Sequence, residues 1–187
     1  MLETKLDTNA EADRIKASAE ETLRNGATIS TVIASFRNGE FQGVIIMREP
    51  DSNLERDAEA AFAEACMLFS YTHSDEFIVS FDAKVRHNKE NKDINAINIM
   101  FASRNGAMTR VHPYEVDENG NFVGWTDDEL DDMFNPIGIS MNMVTTMAHY
   151  ASSHIDVEDD LLFAVKALSK RGHIIRLSQK LEEKVHA

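Results

Sequence analysis

Four of the eight glycines in this chain follow an asparagine, at Asn25-Gly26, Asn38-Gly39, Asn105-Gly106 and Asn119-Gly120. Asparagine and glycine tolerate positive φ better than other residues, so the pair marks places where a chain reverses within a few residues. Thr31 to Phe36 and Phe41 to Met47 are rich in Val, Ile and Phe and flank Arg37-Asn38-Gly39-Glu40. That layout predicts a hairpin closed by a type I′ turn. Ile97, Ile99 and Phe101 alternate before Asn105-Gly106, Met108 to Val116 returns from it, and Asn119-Gly120 precedes Phe122 to Trp125. Upstream, Phe77, Val79, Phe81, Ala83 and Val85 alternate with Ile78, Ser80, Asp82 and Lys84. This is the period of a half-buried strand, and the polar run 88–93 reads as its loop. Reversals this tight between pleated segments make the sheet antiparallel.

Helices punctuate the strands. Thr8-x-x-Glu11 reads as a capping box ahead of Ala12, Ile15, Ala19 and Leu23, which recur at helical spacing until Gly26. Ser52-x-x-Glu55 opens a second helix carrying Ala58, Ala61, Phe62, Ala65, Leu68 and Phe69 on one face as far as Thr72, with Cys66 beside that face. Beyond Trp125, Thr126-Asp127-Asp128-Glu129 caps a short helix that Pro136 bounds. Ile139, Met143, Met147 and Tyr150 suggest another, and Asp156 caps one running through Leu161, Val165 and Leu168. Gly172 ends or interrupts it, and Ile174, Leu177, Leu181 and Val185 continue at helical spacing. The expected fold is α+β. A mostly antiparallel sheet of five or six strands, packed by two helices, occupies residues 1–126, and a helical extension occupies residues 127–187.

The order of elements from Glu21 to Trp125 resembles an uncharacterised group of small bacterial and phage proteins with a helix, a hairpin, a second helix and an antiparallel meander. The features that carry the likeness are Asn25-Gly26, the Asp75-Glu76-Phe77-Ile78-Val79-Ser80-Phe81-Asp82-Ala83-Lys84 strand, and the Gly106 and Gly120 turns ending at Gly124-Trp125. They cover somewhat over half the chain. Where such proteins often show Glu-Ala-Trp, this chain has Asp82-Ala83-Lys84, and the helical extension has no counterpart. The resemblance implies a fold and no activity.

Charge is segregated along the chain. Of the formal net charge of -13, nearly all resides in residues 111–165, which hold 12 Asp and Glu and no Lys or Arg, while residues 166–187 hold 6 bases against 2 acids. Such a chain opposes generic binding to phosphate backbones, which draws its free energy from counterions released by Lys and Arg. One cysteine excludes an internal disulfide framework. The N-terminus lacks a signal-peptide layout, and no apolar run approaches the ~18 residues of a membrane span. A cytoplasmic protein, without membrane contact, is the expectation.

Several groups invite a chemical reading. Asp82 and Lys84 share one strand face, and Arg110, His112 and Tyr114 share a face of a later strand, so a polar ligand-binding patch across strands is feasible. A carboxylate near an imidazole is the minimum for acid and base chemistry, but alternation alone also puts polar residues on the wet side of a one-faced sheet. Asp117-x-Asn119-x-Asn121 imitates the start of a calcium loop, yet Phe122 stands where that loop needs Gly and Asp128 where it needs Glu. His149 and His154, five apart, leave a common helical face, and no paired-cysteine or phosphate-loop motif occurs. Cys66 reads as a small apolar residue. Met133, Met141, Met143 and Met147 suit core filling or an adaptable partner surface. The basic tail, with Lys166, Lys170, Arg171, Arg176, Lys180 and Lys184, suits pairing with the anionic block of its own chain or of a neighbour.

No constellation here fixes a reaction, and neither metal nor cofactor is expected. The sequence points to a non-enzymatic binding or regulatory protein of bacterial or phage type, acting through a protein partner or self-association. An acidic DNA mimic that occupies a nucleic-acid-binding protein, and a small-ligand-binding protein or enzyme using the sheet-face patch, are the alternatives.

Overall fold

The computed structural model describes residues 5–48, 65–66, 68–87, 92–126, 149 and 158–186. Helix α1 (Thr8–Arg24) is capped by Asp7, whose Oδ1 accepts from the amides of Asn9 and Ala10 at 3.1 Å each. The cap is therefore one residue earlier than the expected Thr8. A carboxylate there also meets the positive end of the helix. Strands β1 (Val32–Arg37) and β2 (Glu40–Ile46) form the expected hairpin, with φ of 53° at Asn38 and 81° at Gly39. Helical residues 65–66 and 68–71 lead into β3 (Glu76–His87). The meander continues through β4 (Lys92–Ser103), β5 (Gly106–Val116) and β6 (Phe122–Trp125). Helix α2 (Glu158–Lys170), strand β7 (Ile174–Leu177) and helix α3 (Gln179–His186) complete the described chain.

The strands make one antiparallel sheet in the order β6-β5-β4-β3-β1-β2-β7. It is covered on both faces over Glu76–Phe81, which corrects the expectation of a half-buried strand there, whereas Asp82 and Lys84 are exposed opposite Ala83 and Val85 as that expectation had it. Phe77, Val79 and Phe81 join Leu68, Phe69, Leu161 and Leu168 in one core, while Ile78 joins Ile97, Ile99, Phe101, Ala12 and Ala19 in another. Even Ser80 is only 8% exposed. Burying each such large apolar side chain contributes roughly 1.5–3 kcal/mol, so the central strands anchor both layers. No helix among the described residues is long and apolar enough to cross a membrane.

The sheet has seven strands rather than five or six. The seventh arises where the spacing of Ile174, Leu177 and Leu181 predicts helix. Gly172, at φ 88°, terminates α2, and the His173 amide reaches back to the Leu168 carbonyl at 3.2 Å. The chain then pairs with β2, matching Gly43 to Leu177 and Ile46 to Ile174, and the Ser178 amide donates to the Gln42 carbonyl at 2.8 Å. The same four residues alternate as well as they spiral: Ile175 and Leu177 pack on the first core, and Ile174 and Arg176 are exposed. The open edge of β2 decides between the two periods.

Close approach of β7 requires Gly43. A Cβ there would lie 3.1 Å from Leu177 Cδ2 and 3.2 Å from the Arg176 carbonyl oxygen, so the paired backbone would have to shift. Gly43→Val is expected to destabilise the fold by ~1–3 kcal/mol through overpacking. Hydrogen exchange should show amides 174–177 losing protection before those of β3, and unchanged protection at β7 would contradict this packing.

Candidate functional site

Strand register brings the sequence-predicted patch together on one face. Ser80, Ile99 and Arg110 form one cross-strand row, Asp82, Ile97 and His112 the next, and Lys84, Asn95, Tyr114 and Trp125 the third. Side chains in adjacent rows on the same face lie within reach of one another. The Tyr114 hydroxyl donates to Asp82 Oδ2 at 2.8 Å across the intervening strand. Tyr114 is only 6% exposed. Asp82 keeps open surface, but protein packed about its carboxyl displaces water and pushes its pKa up, a shift that the Tyr114 hydrogen bond and the Ala83 amide oppose. Burial and the neighbouring Asp82 push the Tyr114 hydroxyl up as well.

Helix α1 closes over this face. Arg110 donates to Asn9 Oδ1 and stacks over Phe101, its guanidinium 5.9 Å from the ring centre. Trp125 Nε1 donates to Glu20 Oε2 at 2.8 Å, and Lys16 Nζ lies 4.9 Å from the centre of the same indole. Glu20 is paired with Arg24 at 2.7 Å, and Arg24 stands over Phe122 at 5.3 Å. The Trp125 hydrogen bond, followed by that of Arg24, holds the Glu20 carboxyl below its ordinary range. Tyr114, Phe122 and Trp125 form an aromatic cluster beneath, with ring centres 5.4–6.1 Å apart and tilted or edge-to-face contacts.

His112 lies at the centre of this interface. Its ring meets Trp125 edge-on at 6.3 Å, and its Nε2 is buried without a hydrogen-bond partner. Burial lowers its pKa, Lys16 and Arg110 lower it further, and Asp13 partly opposes them. A neutral imidazole between two cations is the result. Asp82 and His112 share a row but are separated by Ile97, so they form no carboxylate–imidazole pair. Lys84 is exposed one row beyond. The patch is thus a network whose main partners are within the fold.

The other sequence-predicted residues fall elsewhere. Lys166, Lys170, Arg171 and Arg176 are exposed on α2, β7 and the turn between them. Met133, Met141, Met143 and Met147 lie outside the described residues. Asp117 closes the β5–β6 turn by accepting from the Asn119 amide at 2.9 Å and the Asn121 amide at 2.8 Å, and the Asn121 side chain donates to it at 3.0 Å. These bonds, that of the Asn121 side chain foremost, lower its pKa. Burial pushes the Cys66 thiol up to about 12, which removes thiolate chemistry near neutrality. Among the described residues no group of three or more His, Cys, Asp and Glu could hold a metal ion.

Sequence reasoning missed Asn9, Lys16, Glu20 and Trp125 as parts of this site. A signal was present: Asn9, Asp13, Lys16 and Glu20 recur at helical spacing beside the apolar stripe of Ala12, Ile15, Ala19 and Leu23. Comparison with protein-family models, with curated proteins and with solved structures finds no match to the chain.

The signs of the two shifts give opposite pH dependences. His112 has a folded pKa below 6.5, so its contribution is present above 6.5 and is lost as pH falls below that value. Asp82 has a folded pKa above 3.8, so its contribution is present below 3.8 and is lost as pH rises through the folded value. Melting temperature should therefore fall on acidification from pH 6.5, and His112→Gln should flatten that limb. An equal slope in the variant would show that His112 is not responsible. Tyr114→Phe should cost ~1 kcal/mol for the lost hydrogen bond and raise the Asp82 titration point, as read by carboxyl NMR.

Proposed function

We propose that this chain is a non-enzymatic binding or regulatory protein that works through protein–protein contact or self-association. The supporting observation is that large apolar side chains are exposed at both ends of the sheet, while Arg110, His112 and Tyr114 of the polar patch are packed beneath α1 and only Asp82 and Lys84 stay exposed. Val116 and Val123, 40% and 56% exposed, belong to β5 and β6. Phe163 and Ile174, 64% and 53% exposed, belong to α2 and β7. Exposed apolar groups rimmed by charge are the composition of contact surfaces. Asp82, Arg110, Tyr114 and Trp125, by contrast, already hold partners within the fold. A cytoplasmic setting and a bacterial or phage origin belong to the same proposal. The DNA-mimic alternative leans on the base-free stretch 111–165, of whose acids Asp127, Asp128, Glu129, Asp131, Asp132 and Asp156 lie outside the described residues.

Native mass spectrometry of the freshly purified full chain tests the reading against a small-ligand or enzymatic role. Protein-only species are expected. A stoichiometric small-molecule adduct that disappears in Asp82→Asn or His112→Gln would replace this proposal with the ligand-binding one.

A further inference from the structure

Strands β6 and β7 end the sheet on opposite sides, and the chain segments that form those ends carry opposite charge, although Lys16 and Arg24 of α1 stand over Trp125 and Phe122 of β6 and Glu182 and Glu183 of α3 follow β7. Residues 111–126 contain Glu115, Asp117 and Glu118, all exposed, and no Lys or Arg. Residues 163–178 contain Lys166, Lys170, Arg171 and Arg176, all exposed, and no Asp or Glu. Among the described residues Lys166, Lys170 and Arg176 make no ion pair. Each end also exposes apolar surface, Val116 and Val123 at one and Phe163 and Ile174 at the other. We propose that the partner is a second copy of this chain, whose basic β7 end docks against the acidic β6 end of the first.

The charges choose the pairing. A contact between two β7 ends brings Arg176, Lys170 and Lys166 against their own kind, and one between two β6 ends does the same for Glu115, Asp117 and Glu118. Like charges set opposite one another across a strand pair are unfavourable, and a clash against wrong partners confers specificity as much as attraction to the right one. Unlike ends are complementary in charge and each supplies an exposed branched aliphatic group. Both end strands are four residues long, which limits indiscriminate pairing with other sheets. The net charge of -13 opposes association as a whole. At 0.1 M salt that repulsion is screened beyond ~10 Å, whereas groups meeting at the contact lie closer. A contact between unlike surfaces is heterologous, so it propagates to rings or open chains instead of stopping at a two-fold dimer.

This inference rests on the protein-binding reading and adds the identity of the partner and the surfaces used. Sedimentation velocity of the full chain at about 0.1 M salt, across a range of concentration, should show assemblies growing past dimer and shrinking at high salt. Glu115→Lys with Glu118→Lys makes both ends basic, and Lys170→Glu with Arg176→Glu cancels the positive charge of the β7 end while the β6 end stays acidic. Each double variant alone should associate at least tenfold more weakly, and an equimolar mixture of the two should associate again. A wild-type chain that stays monomeric, a closed dimer insensitive to both double variants, or a mixture that stays dissociated overturns the proposal. The salt response of the wild type needs no variant to fold. Those failures leave the protein-binding reading intact, because that reading is judged by the absence of a small-molecule adduct.

Discussion

The structure depends on the burial of β3 from both sides. From Phe77 to Phe81 its side chains alternate between two buried layers, and its backbone pairs with β1 over Glu76 to Ser80 and with β4 from Glu76 to His87. A strand so placed has little freedom of register. A slip of one residue would exchange Phe77, Val79 and Phe81 with Ile78, Ser80 and Asp82. The slip would bring Asp82 into the core of Phe69 and Leu168, where an unpaired carboxylate is costly. Register at β3 in turn fixes the rows that assemble Asp82, His112 and Tyr114.

Electrostatics at the α1 interface follow from that burial. The helix covers a face that contains polar groups, so each needs a partner, and Asn9, Glu20 and Asp82 supply acceptors for Arg110, Trp125 and Tyr114. His112 is the exception, a neutral ring between Lys16 and Arg110 with a buried nitrogen left unpaired. Protonation of that ring would set a third positive charge beside Lys16 and Arg110. The arrangement explains why Arg110, His112 and Tyr114, which in the sequence resemble part of a catalytic face, pack beneath a helix in the fold.

Much of the architecture was legible because local signals agreed with the tertiary outcome. Asn38-Gly39 adopts positive φ at both residues, as its turn type requires, and β1 to β6 follow the predicted order. The sharing of one face by Asp82, Lys84, Arg110, His112 and Tyr114 was also readable, because alternation fixes the face within each strand and the Asn105-Gly106 reversal makes β4 and β5 neighbours. What covers that face was not readable. A period of two is the same for a wet face and for one beneath a helix whose contacts are polar.

The sequence by itself determined the α+β class, the tight reversals, the alternating faces and the separation of charge along the chain, since each depends on residues a few positions apart. Only the tertiary structure decided that 174–177 is a strand, that both faces of β3 are buried over Glu76–Phe81, and that acidic and basic segments stand at opposite ends of one sheet. Those outcomes depend on groups far apart in sequence. The free edge of β2 captures a distant segment, Ile46 pairing with Ile174, 128 positions later, and that pairing selects between two periods the residues satisfy equally.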